Sequence, residues 1–218
     1  MSDGNSTFAD RFETISEHDS KSIFKPNVTT LVVSQSEQHG PNVMTASWWT
    51  LGGYDPFRYV LAVDHHTYTY EIIEENPEFT LAAPSQDIKE AITLCGSVSG
   101  RDIDKIEHLG LETVPGEDID VPLLADAVGN VECSVLESFS FEGITYYIAG
   151  VENAYVQEGG LNGRILSAET KPIGFMGSDW KDEDDDHKHR YYVDFEDADV
   201  VSFSDGEVLE TLPDEIGK

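Results

Sequence analysis

The residues whose types and spacing suit chemistry begin with Pro41-Asn42-Val43-Met44-Thr45-Ala46-Ser47-Trp48-Trp49-Thr50. This run has the β-branched and aromatic content of a strand, yet small polar residues are interleaved with the apolar ones. A plain strand does not need that pattern. After Gly52-Gly53, read as a turn, and Asp55-Pro56 comes a second strand, Arg58-Tyr59-Val60-Leu61-Ala62-Val63. It runs into His65-His66-Thr67-Tyr68-Thr69-Tyr70-Glu71, which has the form of a helix start. Two strands and a helix N-terminus converging on one place suit a planar, phosphorylated ligand, because free amides at a helix start favour an anion.

Other chemistries lack their signatures. No G-x-G-x-x-G follows a strand, and Gly159-Gly160-Leu161-Asn162-Gly163 has the wrong spacing for one. There is no phosphate-binding P-loop, no G-x-S-x-G and no H-E-x-x-H. His65 and His66 are adjacent, so in an extended segment their side chains face opposite ways and chelate poorly. His187 and His189 flank the acidic run 182–186, which reads as a solvated loop rather than a metal site.

The elements that position these residues are short and mostly extended. Thr29-Thr30-Leu31-Val32-Val33 is a first strand, and Glu78-Phe79-Thr80-Leu81-Ala82-Ala83 is another, closed by Pro84. Between them Thr67 caps a helix that buries Ile72 and Ile73 and ends at Asn76-Pro77. Ser85 is the N-cap of a second helix with Ile88, Ile92 and Cys95 on its apolar stripe and Gly96 at a left-handed C-terminus. A third contains Ile103, Ile106 and Leu109 and stops at Gly110. Residues 131–141 and 145–157 form a long hairpin around Glu142-Gly143. A last strand covers 191–195. This is one β-dominated domain with short helices, better suited to a barrel than to a parallel sheet.

The chain has 218 residues, with 43 acidic against 13 basic and a formal charge of −30. Such a surface repels nucleic acid and anionic membranes. The acids are dispersed among aromatic and β-branched residues, so the charge reads as adaptation to concentrated salt, where screening removes self-repulsion. No run of about 18 apolar residues and no secretory leader is visible, so a cytoplasmic, membrane-free protein is expected. Cys95 and Cys133 lie in apolar segments without metal-like spacing, as buried thiols in a reducing compartment do.

Several blocks in the right order resemble the flavin reductase-like family, an FMN-binding split β-barrel of Greek-key type. Asn42-Val43-Met44-Thr45-Ala46-Ser47-Trp48 looks like that family's N-x-M-T-x-S-W strand, and Asp55-Pro56 is similar to its D-P-P element. Glu78 to Pro84 matches its E-F-x-x-N-x-P segment, with Ala82 or Ala83 where Asn is usual. Ser99-Gly100-Arg101-Asp102-Ile103-Asp104-Lys105 resembles S-G-x-x-x-D-K, and Glu132-Cys133 with Gly150-Val151 matches the strands that complete the barrel. The resemblance covers roughly residues 20–160, between a polar arm at 1–20 and a C-terminal extension at 171–218. The domain itself is taken as 21–170.

The resemblance implies an FMN beside Met44, Thr45, Ala46, Ser47 and Trp48, with the hydroxyls of Thr45 and Ser47 on the ring edge and ribityl chain. Phosphate donors would come from the amides at Thr67, Tyr68 and Thr69, from the helix opened by Ser85 next to Ala83, and from Lys105 beside Ser99 and Gly100. Against these stand plainer roles: a cap for Ser85, and pairing with Asp102 or Glu107 for Lys105. The implied reaction is hydride transfer from NADH or NADPH to flavin, needing no catalytic triad. His66 is the single side chain near enough in sequence to be a catalytic candidate. A homodimer and an electron-accepting partner protein are also implied. The rivals are an FMN electron carrier without nicotinamide activity and a non-catalytic acidic interaction or sensor module.

Overall fold

The computed structural model describes residues 13–162 and the segments 165–166, 170–171, 173–179, 189–194, 201–204 and 207–211. A 3-10 helix, His18–Phe24, leads into β1 (Asn27–Val28), β2 (Thr30–Ser34), β3 (Asn42–Ala46), β4 (Trp49–Tyr54) and β5 (Phe57–Asp64). Then come α1 (Tyr68–Glu75), β6 (Glu78–Ala83), a 3-10 turn at Gln86–Ile88, α2 (Lys89–Cys95) and α3 (Lys105–Leu109). Two short strands, β7 (Thr113–Val114) and β8 (Leu123–Leu124), precede β9 (Gly129–Phe141) and β10 (Ile144–Val156). Beyond them lie β11 (Leu161–Asn162), β12 (Ile165–Leu166), β13 (Ile173–Asp179), β14 (His189–Asp194), β15 (Val201–Ser204) and β16 (Glu207–Thr211). The acidic run 182–186, His187, Phe195 and residues 1–12 of the N-terminal arm lie outside the described residues.

The architecture is mainly β and is that of a split barrel. Seven antiparallel strands run in the order β3-β2-β6-β9-β10-β5-β4. The first and last members of that order, β3 and β4, are consecutive in sequence and separated only by Ser47 and Trp48. Two residues cannot span a flat seven-stranded sheet about 30 Å wide, so the sheet curls until its edges meet at this corner. The corner is tied by Ala62 N–H donating to the Trp48 carbonyl (2.9 Å), Asn27 Nδ2 to the Ser47 carbonyl (3.3 Å) and Trp49 Nε1 to the Val28 carbonyl (3.2 Å). The nine-residue strand read from 42–50 is therefore two strands on opposite edges. Gly52 and Gly53 lie inside β4, and the turn falls at Asp55-Pro56, a cis peptide.

Two apolar clusters sandwich the barrel wall. Inside are Val32, Ala46, Leu61, Val63, Ile73, Phe79, Leu81, Cys133, Tyr147 and Ala149. Outside, Leu31, Val33 and Val43 pack with Ala91 and Cys95 of α2 and with Ile119, Val121 and Leu124. β2 is buried on both faces, which is why it reads as an unbroken apolar run rather than an alternating one. The hairpin β9–β10 turns at Glu142 and Gly143, both at positive φ (46° and 83°), the pair that a two-residue turn requires. α1 is only eight residues long and marginal alone. Buried Ile72 and Ile73 hold it, at about 1.5–3 kcal/mol each. Gly110 is left-handed, with φ 64°, whereas Gly96 is right-handed, with φ −94°. The Ser85 hydroxyl caps the 3-10 turn, accepting from Asp87 N–H at 3.2 Å, and α2 begins only at Lys89.

Both cysteines are free and buried. Burial pushes the Cys95 thiol up to about 11 and the Cys133 thiol, with Glu152 and Glu132 nearby, up to about 12. The folded chain thus keeps these protons after the unfolded chain has lost them. Their contribution is fully present below the ordinary thiol value of 9.0 and falls as pH rises toward the folded values. Each pH unit in that window removes about 1.4 kcal/mol per thiol. The denaturant midpoint is expected to drop as pH rises from about 9 toward about 11, and disulfide-exchange reagents to label neither cysteine until the protein unfolds. Ready labelling of native protein would contradict this.

Candidate functional site

β3 ends the sheet order, so one of its edges has no strand partner. On that edge the Val43 carbonyl accepts from Lys105 Nζ at 2.7 Å, and Nζ also donates to the Cys95 carbonyl at 3.2 Å. Peptide groups of alternate residues face the same side of a strand, so Thr45 presents its N–H and C=O along this edge too. Lys105 is 5% exposed, and burial pulls its pKa below the usual lysine value. It faces neither Asp102 nor Glu107. It fastens β3 to the C-terminus of α2 as a buried cation with no carboxylate partner among the described residues.

Two further bonds fix this wall. Thr45 Oγ1 donates to the Ile92 carbonyl of α2 at 2.7 Å, so its hydroxyl has only lone pairs left for a ligand. Asn42 Nδ2 donates to Thr69 Oγ1 of α1 at 3.0 Å. Gly100 makes the approach possible: a Cβ there would lie 2.2 Å from Asn42 Oδ1 and 2.7 Å from the Tyr68 ring. Thr67 Oγ1 accepts from Tyr70 N–H at 3.2 Å, and Ser99 Oγ from Arg101 N–H at 3.2 Å. The two caps fix the loops on either side of the opening.

Between these elements lies a cleft of about 320 Å³, lined by Met44, Thr45, His66, Thr67, Tyr68, Thr69, Ser99, Gly100, Arg101 and Lys105, with Asn42 and 95–98. A second opening of about 200 Å³ runs along the corner past Met44, Thr45, Ala46, Ser47, Trp48, Ala62, Val63, Asp64 and Thr67. The two share Met44, Thr45 and Thr67 and form one bent slot. Trp48 stands at its mouth, 62% exposed, while Trp49 packs on Tyr59 instead. Ser47 Oγ makes no hydrogen bond to a described residue. Ala83 and Ser85 line neither opening: Ala83 pairs with Gly129 across β6–β9, and Ser85 is buried under its own turn.

Arg101, which was not among the residues singled out from the sequence, belongs to the slot. Its Nη2 meets Glu71 Oε1 at 2.6 Å, its Nη1 donates to the His66 carbonyl at 3.2 Å, and its guanidinium sits 5.3 Å from the Tyr68 ring centre. The signal was available: it is one of 13 basic residues and lies four positions before Lys105. His65 and His66 do face apart. His65 Nε2 bonds Thr145 Oγ1 (2.8 Å) and stacks on Tyr70, whereas His66 is exposed and bonds Asp64 Oδ1 through Nδ1 (2.8 Å). The His66 backbone N–H and then its imidazole, both bonded to Asp64, hold that carboxyl below its ordinary value. Among the described residues no group of three or more His, Cys, Asp or Glu could hold a metal ion, and no helix is long and apolar enough to cross a membrane.

The slot joins an open strand edge, whose donors and acceptors alternate, to an end furnished with Lys105, Arg101 and the α1 amides. A flat heterocycle with an acceptor–donor–acceptor edge fits the first part, and an anionic tail the second. Residues 25–172 match the family model described as a flavin reductase like domain. A protein of uncharacterised function from Archaeoglobus fulgidus is 31% identical over 126 residues, 58% of this chain and 70% of its own length. The flavoredoxin of Desulfovibrio vulgaris superposes with a TM-score of 0.70 at 25% identity, covering 84% of this chain and 94% of that one. Flavoredoxin from Methanosarcina acetivorans gives 0.73 at 23% identity, over 90% and 98%. The last likeness bears on the fold alone.

Proposed function

Because the chain belongs to the flavin reductase-like family, we propose that the bent slot holds FMN and that the protein is an oxidoreductase passing hydride from NADH or NADPH to it. The observation that carries this reading is the open edge of β3 meeting a buried lysine, paired with no carboxylate among the described residues, in a protein of net charge −30. An uncompensated cation costs desolvation energy, and an anionic ligand beside it recovers that cost. When bound, the flavin supplies the redox chemistry itself.

The chain's own residues bind and orient. Thr45 offers a backbone donor and acceptor to the ring edge and lone pairs from its hydroxyl. Ser47 Oγ, which makes no bond to a described residue, is free to serve the ring or the ribityl chain. Ala46 and Gly100 keep bulk away from the slot. Lys105, Arg101 and the amides of Tyr68 and Thr69 take the phosphate end; the Thr67 N–H, expected from the sequence to join them, is instead donated to the Asp64 carbonyl at 3.0 Å. Trp48 covers the mouth from one side, and in this reading a second copy of the chain covers the rest. His66 lines the slot and bonds Asp64 at 2.8 Å, and the hydride step asks no proton of it. The protein works in a salt-rich cytoplasm and hands electrons to a partner protein or small acceptor.

A second reading, an electron carrier without nicotinamide activity, draws support from the flavoredoxin of Desulfovibrio vulgaris. One experiment separates the two: the visible spectrum of protein purified in concentrated KCl, before and after anaerobic NADH or NADPH. We expect a flavin band, present on purification or gained with FMN, that either nucleotide bleaches. Flavin bound but unmoved selects the carrier, and no flavin under any salt condition refutes both readings.

A further inference from the structure

A larger cleft, about 870 Å³, lies against the outer face of α2, between that helix, α3 and the start of β13. Lys89, Glu90, Thr93 and Leu94 line it at helical spacing, while Ala91, Ile92 and Cys95 are buried on the opposite face. Leu94, Leu109 and Ile173 form an apolar wall. Lys89 and His108 stand at the rim, and neither side chain meets a carboxylate among the described residues. The side-chain nitrogen of Gln86, also in this lining, is buried without a hydrogen-bond partner among the described residues. Native structures rarely leave a buried donor idle, so an acceptor belongs there.

We propose that this cleft is a second ligand site, for a monocarboxylic acid with an apolar body. The body lies on Leu94, Leu109 and Ile173, and the carboxylate accepts from the Gln86 amide and pairs with Lys89. A volume of about 870 Å³ falls within the roughly 300–1,000 Å³ usual for small-molecule sites. The idle donor asks for an acceptor, and the two rim cations favour an anion. Glu90 on the same rim and a net charge of −30 penalise a second negative charge, so a monoanion suits the cleft better than a phosphate does. The site also shares α2 with the slot. Facing β3, this helix offers the Ile92 carbonyl to Thr45 Oγ1 at 2.7 Å and the Cys95 carbonyl to Lys105 Nζ at 3.2 Å. A helix of seven residues has little stability of its own and depends on packing. A ligand on its outer face holds it against β3 and so favours flavin in the slot, a consequence that rests on the oxidoreductase reading above.

The test is calorimetric titration of the whole protein, as purified, with octanoate and with octanol as the uncharged control. Octanoate is expected to saturate one site, and octanol to bind about tenfold more weakly or worse. Lys89→Glu, at an exposed helix position, reverses the rim charge and is expected to raise the octanoate Kd about tenfold or more. Gln86→Met removes the idle donor. It is expected to raise the Kd about tenfold and yet to raise the melting temperature before octanoate is added, which loss of a merely structural glutamine would lower. Saturating octanoate is expected to lower the FMN Kd about fivefold or more, and FMN to lower the octanoate Kd by the same factor. Octanoate that fails to bind the parent, binds both variants equally well, or binds no better than octanol overturns the assignment. An FMN Kd that octanoate leaves unmoved overturns the coupling through α2. Failure of the parent to bind FMN would instead refute the oxidoreductase reading, and the octanoate titration would still decide the cleft.

Discussion

Replacing Lys105 with methionine is expected to weaken FMN binding by about 10- to 100-fold, the worth of one charge-assisted contact. The same change is expected to destabilise the flavin-free protein by about 1–3 kcal/mol. Methionine matches the length and fills the volume, so no large cavity opens. What is lost is the donor to the Val43 and Cys95 carbonyls, at 2.7 and 3.2 Å, which are left unpaired in a buried place. Removing a buried ammonium returns part of that cost, because its desolvation no longer opposes folding. The same burial gives a pH signature. The lowered pKa of Lys105 means that the unfolded chain binds this proton more tightly, so this residue's share of stability rises with pH up to the ordinary value of 10.5. That runs against the two thiols, and the variant should show a steeper alkaline loss than the parent. Flavin fluorescence titration and urea unfolding read the two effects apart. Unchanged FMN affinity with reduced stability would make Lys105 a structural fastener only.

Gly100→Ala should act on fold and site together, costing about 2–3 kcal/mol and most of the flavin affinity. The added carbon would stand 2.2 Å from Asn42 Oδ1 and 2.7 Å from Tyr68. Neither neighbour is a free-swinging tip. Asn42 is buried and tied to Thr69, and Tyr68 lies between His39, stacked at 5.2 Å, and Arg101. Accommodation therefore separates β3 from α1, the two walls of the slot. Gly40→Ala is the control, since nothing lies within 4 Å of its added carbon, and its effect should stay within about 0.5 kcal/mol. Equal melting temperatures and equal FMN titrations for the two variants would rule this account out.

Local chemistry was legible in the sequence; closure was not. The Glu142-Gly143 turn, the Thr67 cap and the helix stop at Gly110 follow from residue type and appear as expected, whereas the left-handed end read at Gly96 falls at Gly110 instead. Residues 42–50 carry no Gly or Pro, so nothing local announces the break at Ser47-Trp48. It is imposed by a sheet whose two edges must meet. Lys105 was visible as a rare cation, but its carbonyl partners come from β3 and α2, 62 and 10 residues away. Ser85 is singled out as the opening of a helix, and Ala83 as a position where the resembling segment usually carries Asn. The pairing of β6 with β9 carries them elsewhere.

The strand order also has a consequence for synthesis. Every residue that lines the slot lies between 42 and 105, so all have been translated by the time α3 is made. Yet in the sheet the pair β5–β4 is separated from β6 by β9 and β10, which end only at Val156. Until that hairpin leaves the ribosome, the early chain consists of two partial sheets joined by the two-residue corner, with raw edges at β6 and β5. A nascent chain halted after α3 would carry the complete set of lining residues and still have no slot. The β9–β10 hairpin, made after every lining residue and contributing nothing to the lining, decides when the protein can first take up its ligand.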